Sequence, residues 1–189
     1  MGIHQASGSV QVYAAIADIQ WSDVGIVIEC TLKNLSIKQP TFKELDTLTP
    51  GKMPLTSNSS GFPISRIGES CTTRSRMLGL HFFMPAHLVP AVEVVRSEYS
   101  DEAVAQTVSA IMRSVRKKPV RVKRDVTGFL AKRIQHAMMS EAIALVDEGF
   151  SSAEDVDIAR RQHRSTLSCT RIPKPARGCK ISSRTAIMA

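Results

Sequence analysis

No run of eighteen apolar residues occurs in the 189-residue chain, so no membrane-spanning helix is expected. Aromatic residues are scarce at 5%, yet hydrophobic residues make up 43%, enough for one sizeable core and too many for a chain disordered throughout. The four cysteines, Cys30, Cys71, Cys169 and Cys179, show no C-x-x-C spacing. That excludes the usual zinc and redox motifs and any disulfide framework, so they read as free thiols and no metal site is expected. The first twenty residues lack both a basic region and a continuous apolar stretch, so no secretory signal is visible and a cytoplasmic location is expected. Acidic residues are missing from Ile158 onward, where eight Lys and Arg residues fall. Of 25 basic and 17 acidic residues, 25 − 8 = 17 basic ones remain before Ile158, so the charge of +8 belongs wholly to the tail. The tail has no aromatic residue for stacking on bases, which argues against a nucleic-acid arm.

What is present alternates between strand and helix signals. Gly25 to Cys30 is a short β-branched run that reads as a strand buried on both faces. Asn34 is a natural N-cap for a helix carrying Leu35, Phe42, Leu45 and Leu48, with Pro40 expected to kink it or delay its start. Further strands are expected at Pro54 to Thr56, Leu78 to Phe83, Val92 to Val95 and Pro119 to Val122. A helix from Asp101 to Val115, with Ser100 as cap, presents Val104, Val108, Ile111 and Met112 on one face. A longer one from Gly128 to Glu148 stops at Gly149. Ser151 and Glu154 have capping-box spacing and open a last helix, whose periodicity is lost after Ala159. The pattern predicts an α/β protein with a largely parallel sheet.

From Val27 to Asp157 several motifs stand in a set order: VIEC followed by NLSIKQ, TSNSS at Thr56 to Ser60, HFFMP at His81 to Pro85, VEVV at Val92 to Val95, KKPVRVKRD, GFLAKR at Gly128 to Arg133, and EAIALVDEGFSSAEDVD. In that conjunction the chain resembles the NAD-dependent L-3-hydroxyacyl-CoA dehydrogenases. The resemblance implies a Rossmann-type NAD-binding domain followed by an all-α domain, NAD as cofactor, an acyl-CoA substrate and a homodimer. It makes His81 the base that takes the 3-hydroxyl proton, a task suited to imidazole because it titrates near neutral pH. Glu93 matches the carboxylate that orients this histidine. The residues support that match independently, since a carboxylate inside an apolar strand is costly unless paired. By the same resemblance Ser60 anchors the substrate oxygen, Asn58 lies against the nicotinamide half of the cofactor and Lys38 stands beside its ribose. Lys117, Lys118, Arg121, Lys123 and Arg124 are candidates for the coenzyme A phosphates, although a charge run around a strand is usually just solvated.

The sequence departs from the family pattern at both ends and at chemical positions. No Gly-x-Gly occurs, so the turn that cradles the dinucleotide pyrophosphate is missing. Residues 1–124 therefore read as a partial NAD-binding domain, 125–157 as the first helices of the substrate and dimerisation domain, and 158–189 as a divergent, disordered basic tail. The chain is expected to be truncated at both ends and impaired in activity. Lys132 stands where the family has a substrate-contacting asparagine, Met84 where many members have asparagine, Thr127 in place of a proline and Lys33 in place of an acidic residue near the cofactor. The alternative reading is a non-catalytic remnant that acts as an interaction or dimerisation fragment.

Overall fold

The computed structural model describes residues 10–166, which divide in sequence between Gln135 and His136 into two compact units. In the first unit five strands form one sheet in the order β1 (Val27–Glu29), β2 (Leu55–Ser57), β3 (Met77–Phe82), β4 (Ala91–Arg96) and β5 (Lys118–Val122). All neighbours are parallel except β3 and β4, which run antiparallel and pair His81 directly with Glu93. The parallel pairs are joined through helices α1 (Leu35–Leu48), α2 (Ile64–Ile67) and α3 (Glu102–Ser114). Among the described residues no helix is long and apolar enough to cross a membrane.

Side chains alternate across the strands, so the sheet has two apolar faces. Leu55 and Met77 join Phe42 and Leu45 of α1, Ile64 and Ile67 of α2, and Cys71 in one buried cluster, with Ile16 and Trp21 packed against it. Leu78, Leu80, Val92 and Val94 point the other way and are covered by Ala105, Val108 and Met112 of α3. The helical stripe read around Val108 is thus the face of α3 that covers the sheet.

Several local expectations change. β1 is an edge strand, and its Ile28 is 39% exposed rather than buried on both faces, because sheet pairing leaves one side open. Helix α1 runs unbroken from Leu35 to Leu48 across Pro40. Both Pro40 and Ser36, whose carbonyl loses its intrahelical partner, are exposed, so water can take the place of the missing N–H. Asn34 caps it as expected, accepting from the Ser36 N–H. Asp101, not Ser100, caps α3 by accepting from Ala103 N–H, while Ser100 is buried and donates to the Met77 carbonyl. The helix expected from Gly128 begins only at Ala131, since Gly128 (φ 79°) and Phe129 (φ 49°) both take the left-handed conformation and cannot continue a right-handed helix.

Helix α4 (Ala131–Asp147) carries the chain into the second unit, where Gly149 ends it at φ 75°. Helix α5 (Ala153–Thr166) is capped one residue later than the expected box: Ser152 accepts from the Asp155 N–H and donates to its carboxylate. It does not stop after Ala159. Asp157 pairs with Arg160 at 2.6 Å and Arg161 at 2.5 Å, spacings that support an exposed helix without an apolar stripe. The tail read from residue 158 therefore starts as helix as far as Thr166, and the rest of that expectation, 167–189, lies outside the described residues. Met139, Ile143 and Val146 of α4 and Val156 of α5 line an open depression of about 370 Å³.

Candidate active site

The antiparallel register of β3 and β4 sets His81 opposite Glu93, with Nδ1 of the imidazole 2.8 Å from Oε2 of the carboxylate. The other carboxylate oxygen, Oε1, accepts the backbone N–H groups of Leu130 and Ala131, each at 3.0 Å, at the opening of α4. Glu93 is 1% exposed and both of its carboxylate oxygens are engaged. Burial works against its charge, and hydrogen bonds from His81, Ala131 and Leu130 outweigh that cost, holding the carboxyl below its ordinary pKa. An ionised Glu93 accepts and cannot donate. The proton of neutral His81 is therefore on Nδ1, which leaves Nε2 as a free acceptor.

The turn that delivers those two amides depends on two glycines. Gly128 supplies the left-handed step before Phe129, whose ring is 1% exposed and packs with Val95 and Val122. Gly79 lies under the same cluster: a Cβ there would crowd Cβ of Val95 at 3.0 Å and meet the Phe129 ring at 3.8 Å, an ordinary contact. The rings of Phe83 and Phe129 then stand 5.1 Å and 5.8 Å from the imidazole, which is 14% exposed. His81 is thus walled by aromatic carbon and open at one edge.

Asn58 and Ser60 follow the C-terminal end of β2, beside the end of β3 that carries His81. The Asn58 carbonyl oxygen accepts the Phe82 N–H at 3.0 Å, and its amide contacts Cys30 Sγ at 3.6 Å, so it ties the ends of β1, β2 and β3 together. Ser59 is buried and accepts from Phe62 N–H, closing the turn. Ser60 is half-buried, and its hydroxyl has no hydrogen-bond partner among the described residues. Of the expected site residues, the fold brings His81, Glu93, Asn58 and Ser60 to one end of the sheet.

Lys38 is placed differently. Its ammonium is 2.7 Å and 2.9 Å from the two carboxylate oxygens of Glu29 and also donates to the Thr31 carbonyl, with both side chains 2% exposed. Glu29 accepts further from Ser57 at 2.6 Å and from Thr31. Burial opposes the Glu29 charge, and Lys38, Ser57 and Thr31 more than offset it, so its pKa is lowered. The residue expected beside the cofactor ribose thus stands in a buried ion pair. Lys132 lies in the first turn of α4, its stem along Gly128, with no carboxylate partner among the described residues. Two of the basic residues expected at coenzyme A phosphates are already engaged: Lys117 donates to the carbonyls of Ala86 and Val89, and Arg121 pairs with Glu102.

Sequence reasoning missed Glu29, Ser57 and Phe129. Glu29 had a legible signal, since a carboxylate in an apolar strand demands a partner just as Glu93 does. Phe129 had none, because it packs on Val95, Val122 and His81, all far away in sequence.

Comparisons with known proteins place the chain among dehydrogenases. A family model described as "3-hydroxyacyl-CoA dehydrogenase, NAD binding domain" matches residues 2–126, and one described as "3-hydroxyacyl-CoA dehydrogenase, C-terminal domain" matches 128–165. The 5-formyl-3-hydroxy-2-methylpyridine 4-carboxylate 5-dehydrogenase of Mesorhizobium japonicum is 34% identical over 136 residues, 72% of this chain and 44% of the relative. The 3-hydroxybutyryl-CoA dehydrogenase of Mycobacterium tuberculosis is 36% identical over 139 residues, 73% and 49%. Among solved structures, a 5-formyl-3-hydroxy-2-methylpyridine 4-carboxylic acid 5-dehydrogenase matches with a TM-score of 0.70 at 31% identity, covering 77% of this chain and 47% of that one. The Escherichia coli 3-hydroxybutyryl-CoA dehydrogenase matches at 0.68 with 28% identity, 74% and 29%. The chain spans about half the length of these relatives or less.

Proposed function

The chain belongs to the 3-hydroxyacyl-CoA dehydrogenase family, and from that membership we propose that it serves the oxidation of a 3-hydroxyacyl-CoA to the 3-oxo product, with His81 as the base. The observation that carries the reading is the His81–Glu93 pair, whose carboxylate is fixed by two backbone amides so that imidazole Nε2 is presented as an acceptor.

His81 Nε2 takes the hydroxyl proton as the carbon–hydrogen bond breaks, and Glu93 stabilises the imidazolium that results. Ser60 donates its unengaged hydroxyl to the reacting oxygen and holds it within reach of His81. Phe83 and Phe129 surround the imidazole with apolar carbon at 5.1 Å and 5.8 Å, a low-dielectric setting that strengthens the His81–Glu93 interaction. NAD, when bound, accepts the hydride. Half-buried Asn58 and Ser60 at the ends of the parallel strands suit its nicotinamide half, whereas no glycine-rich turn is present in this sequence for the pyrophosphate.

The test is NAD reduction by 3-hydroxybutyryl-CoA, followed by NADH absorbance, in the wild-type chain and in His81→Ala. Turnover that His81→Ala abolishes supports the reading, and a His81 variant that keeps its rate refutes it. A second reading, a non-catalytic fragment that pairs through α4, draws support from the apolar residues left uncovered there: Ile134 is 67% and Ile143 55% exposed. A folded wild-type chain that sediments as a stable dimer and shows no turnover would favour it.

A further inference from the structure

The connection between β3 and β4, residues 83–90, leaves the sheet directly after His81 and Phe82. Its own side chains do little to hold it. Met84 is 84% and Leu88 70% exposed, and Phe83 joins none of the buried apolar clusters. Leu88 and Val89 donate their N–H groups to the Pro85 carbonyl, which closes one turn within the segment 84–89. Among the described residues, the hydrogen bonds that tie this segment to the rest of the protein come from one group, the Lys117 ammonium. It donates to the carbonyls of Ala86 and Val89, the latter at 3.0 Å. The C-terminal end of α3 delivers that lysine. Arg116 takes the left-handed conformation at φ 61°, and the Lys117 N–H returns to the Met112 carbonyl at 2.9 Å, a helix closure that usually employs glycine. A long side chain rarely adopts that conformation, so the contacts around it hold it there.

We propose that Lys117 is a positioning residue for His81: by clamping the turn at Ala86 and Val89 it fixes Phe83, whose ring meets the imidazole edge-on at 5.1 Å and 65°. An ammonium has three N–H groups and can serve two carbonyls at once. Without it both carbonyls turn to water, and the segment has no polar contact left to offset the entropy of keeping one conformation. Phe83 is one peptide link from that segment, so its ring leaves the imidazole when the segment loosens. His81, now 14% exposed, then gains hydration on that side, and its interaction with Glu93 weakens. The basic residue read from sequence as a phosphate contact thus acts on the site from behind, through a loop. The proposal deepens the proposed function and rests on it only in taking His81 as the base.

The experiment is NMR of the full chain, without substrate, in the wild type, Lys117→Met, Lys117→Arg and Phe83→Leu. Backbone order parameters for residues 84–89 are expected near the rigid value of about 0.85 in the wild type and below about 0.6 in Lys117→Met. Those of β3 and β4 should not change, which verifies the fold of the variant. The carbon-bound protons of the His81 ring lie in the ring current of Phe83. Phe83→Leu should shift them, and Lys117→Met should shift them in the same direction. Lys117→Arg, whose guanidinium can still donate to both carbonyls, should retain the wild-type values of both signals. A loss of global stability alone moves neither signal in the folded protein. Should Lys117→Met fail to fold, Lys117→Gln, uncharged and one bond shorter, carries the same expectation. A loop already below about 0.6 in the wild type, a loop unchanged without the ammonium, or His81 protons that either variant leaves in place overturns the proposal. None of these readouts needs turnover, so failure here is separable from failure of His81 as the base.

Discussion

Replacing Lys38 by methionine removes the ammonium from a pair in which both side chains are 2% exposed. Methionine fills a similar volume, so the loss is mainly electrostatic. Taking away one partner of a buried pair strands the other charge, at a cost of about 3–5 kcal/mol. Here Glu29 keeps Ser57 and Thr31 as donors, which places the expected loss near the lower end, about 3 kcal/mol. Against a domain stability of about 5–15 kcal/mol that is a large fraction. The sign of the pH dependence is a second check. In the wild type the Glu29 pKa is lowered by folding, so its contribution is present above the ordinary carboxylate pKa of 4.5 and is lost as pH falls through the folded value. Without Lys38 one of the influences that lower the carboxyl pKa is gone, so the folded value rises relative to the wild type. The wild type then loses more stability than the variant on acidification, and the gap between them should narrow as pH falls through the carboxylate range. Removing both charges, with Lys38→Met and Glu29→Gln together, should recover most of the loss. Urea unfolding followed by the fluorescence of Trp21, the single tryptophan, reads this directly, since its ring packs on the cluster formed by β2 and α1. A loss below about 1 kcal/mol for Lys38→Met, the range of an exposed pair, would refute the argument and return the ammonium to solvent and the cofactor.

Glu93→Gln should keep the fold but invert the histidine: the amide oxygen must still accept from Leu130 and Ala131, so its NH₂ faces His81 Nδ1 and the ring proton moves to Nε2. Long-range nitrogen NMR of the imidazole should show the changed tautomer, with any turnover falling by roughly 10³–10⁴. An unchanged tautomer would show that the carboxylate does not set it. Gly79→Ala should cost about 1–3 kcal/mol in thermal or urea unfolding, because the new methyl meets Val95 at 3.0 Å; a neutral effect would show that strand β4 yields easily. The Cys71 thiol is pushed up to about 11, mainly by burial and then by the negative charge of Asp46. A raised pKa stabilises the fold below the ordinary thiol value of 9.0 and loses that contribution as pH climbs toward 11, so Cys71→Ala should flatten the alkaline loss of stability between those values.

What the sequence by itself determined was the set of local elements and one half of the site. Short apolar runs and helical periodicity placed all five strands and helices α1, α3 and α4 within a few residues. The carboxylate of Glu93 in an apolar strand already required a partner, and the histidine of HFFMP was at hand. Only the tertiary structure decided which unspent groups remain. Lys33 and Lys38 stand five residues apart, yet folding buries Lys38 on the inner face of α1 against Glu29 and leaves Lys33 exposed in the loop before it, a difference made by burial and not by either residue's own chemistry. The start of α4 was likewise decided in three dimensions. The backbone of Gly128 and Phe129 turns left-handed so that the Phe129 ring can cover Gly79 and two amides can reach Glu93, and no periodicity along the chain reports a contact across the sheet.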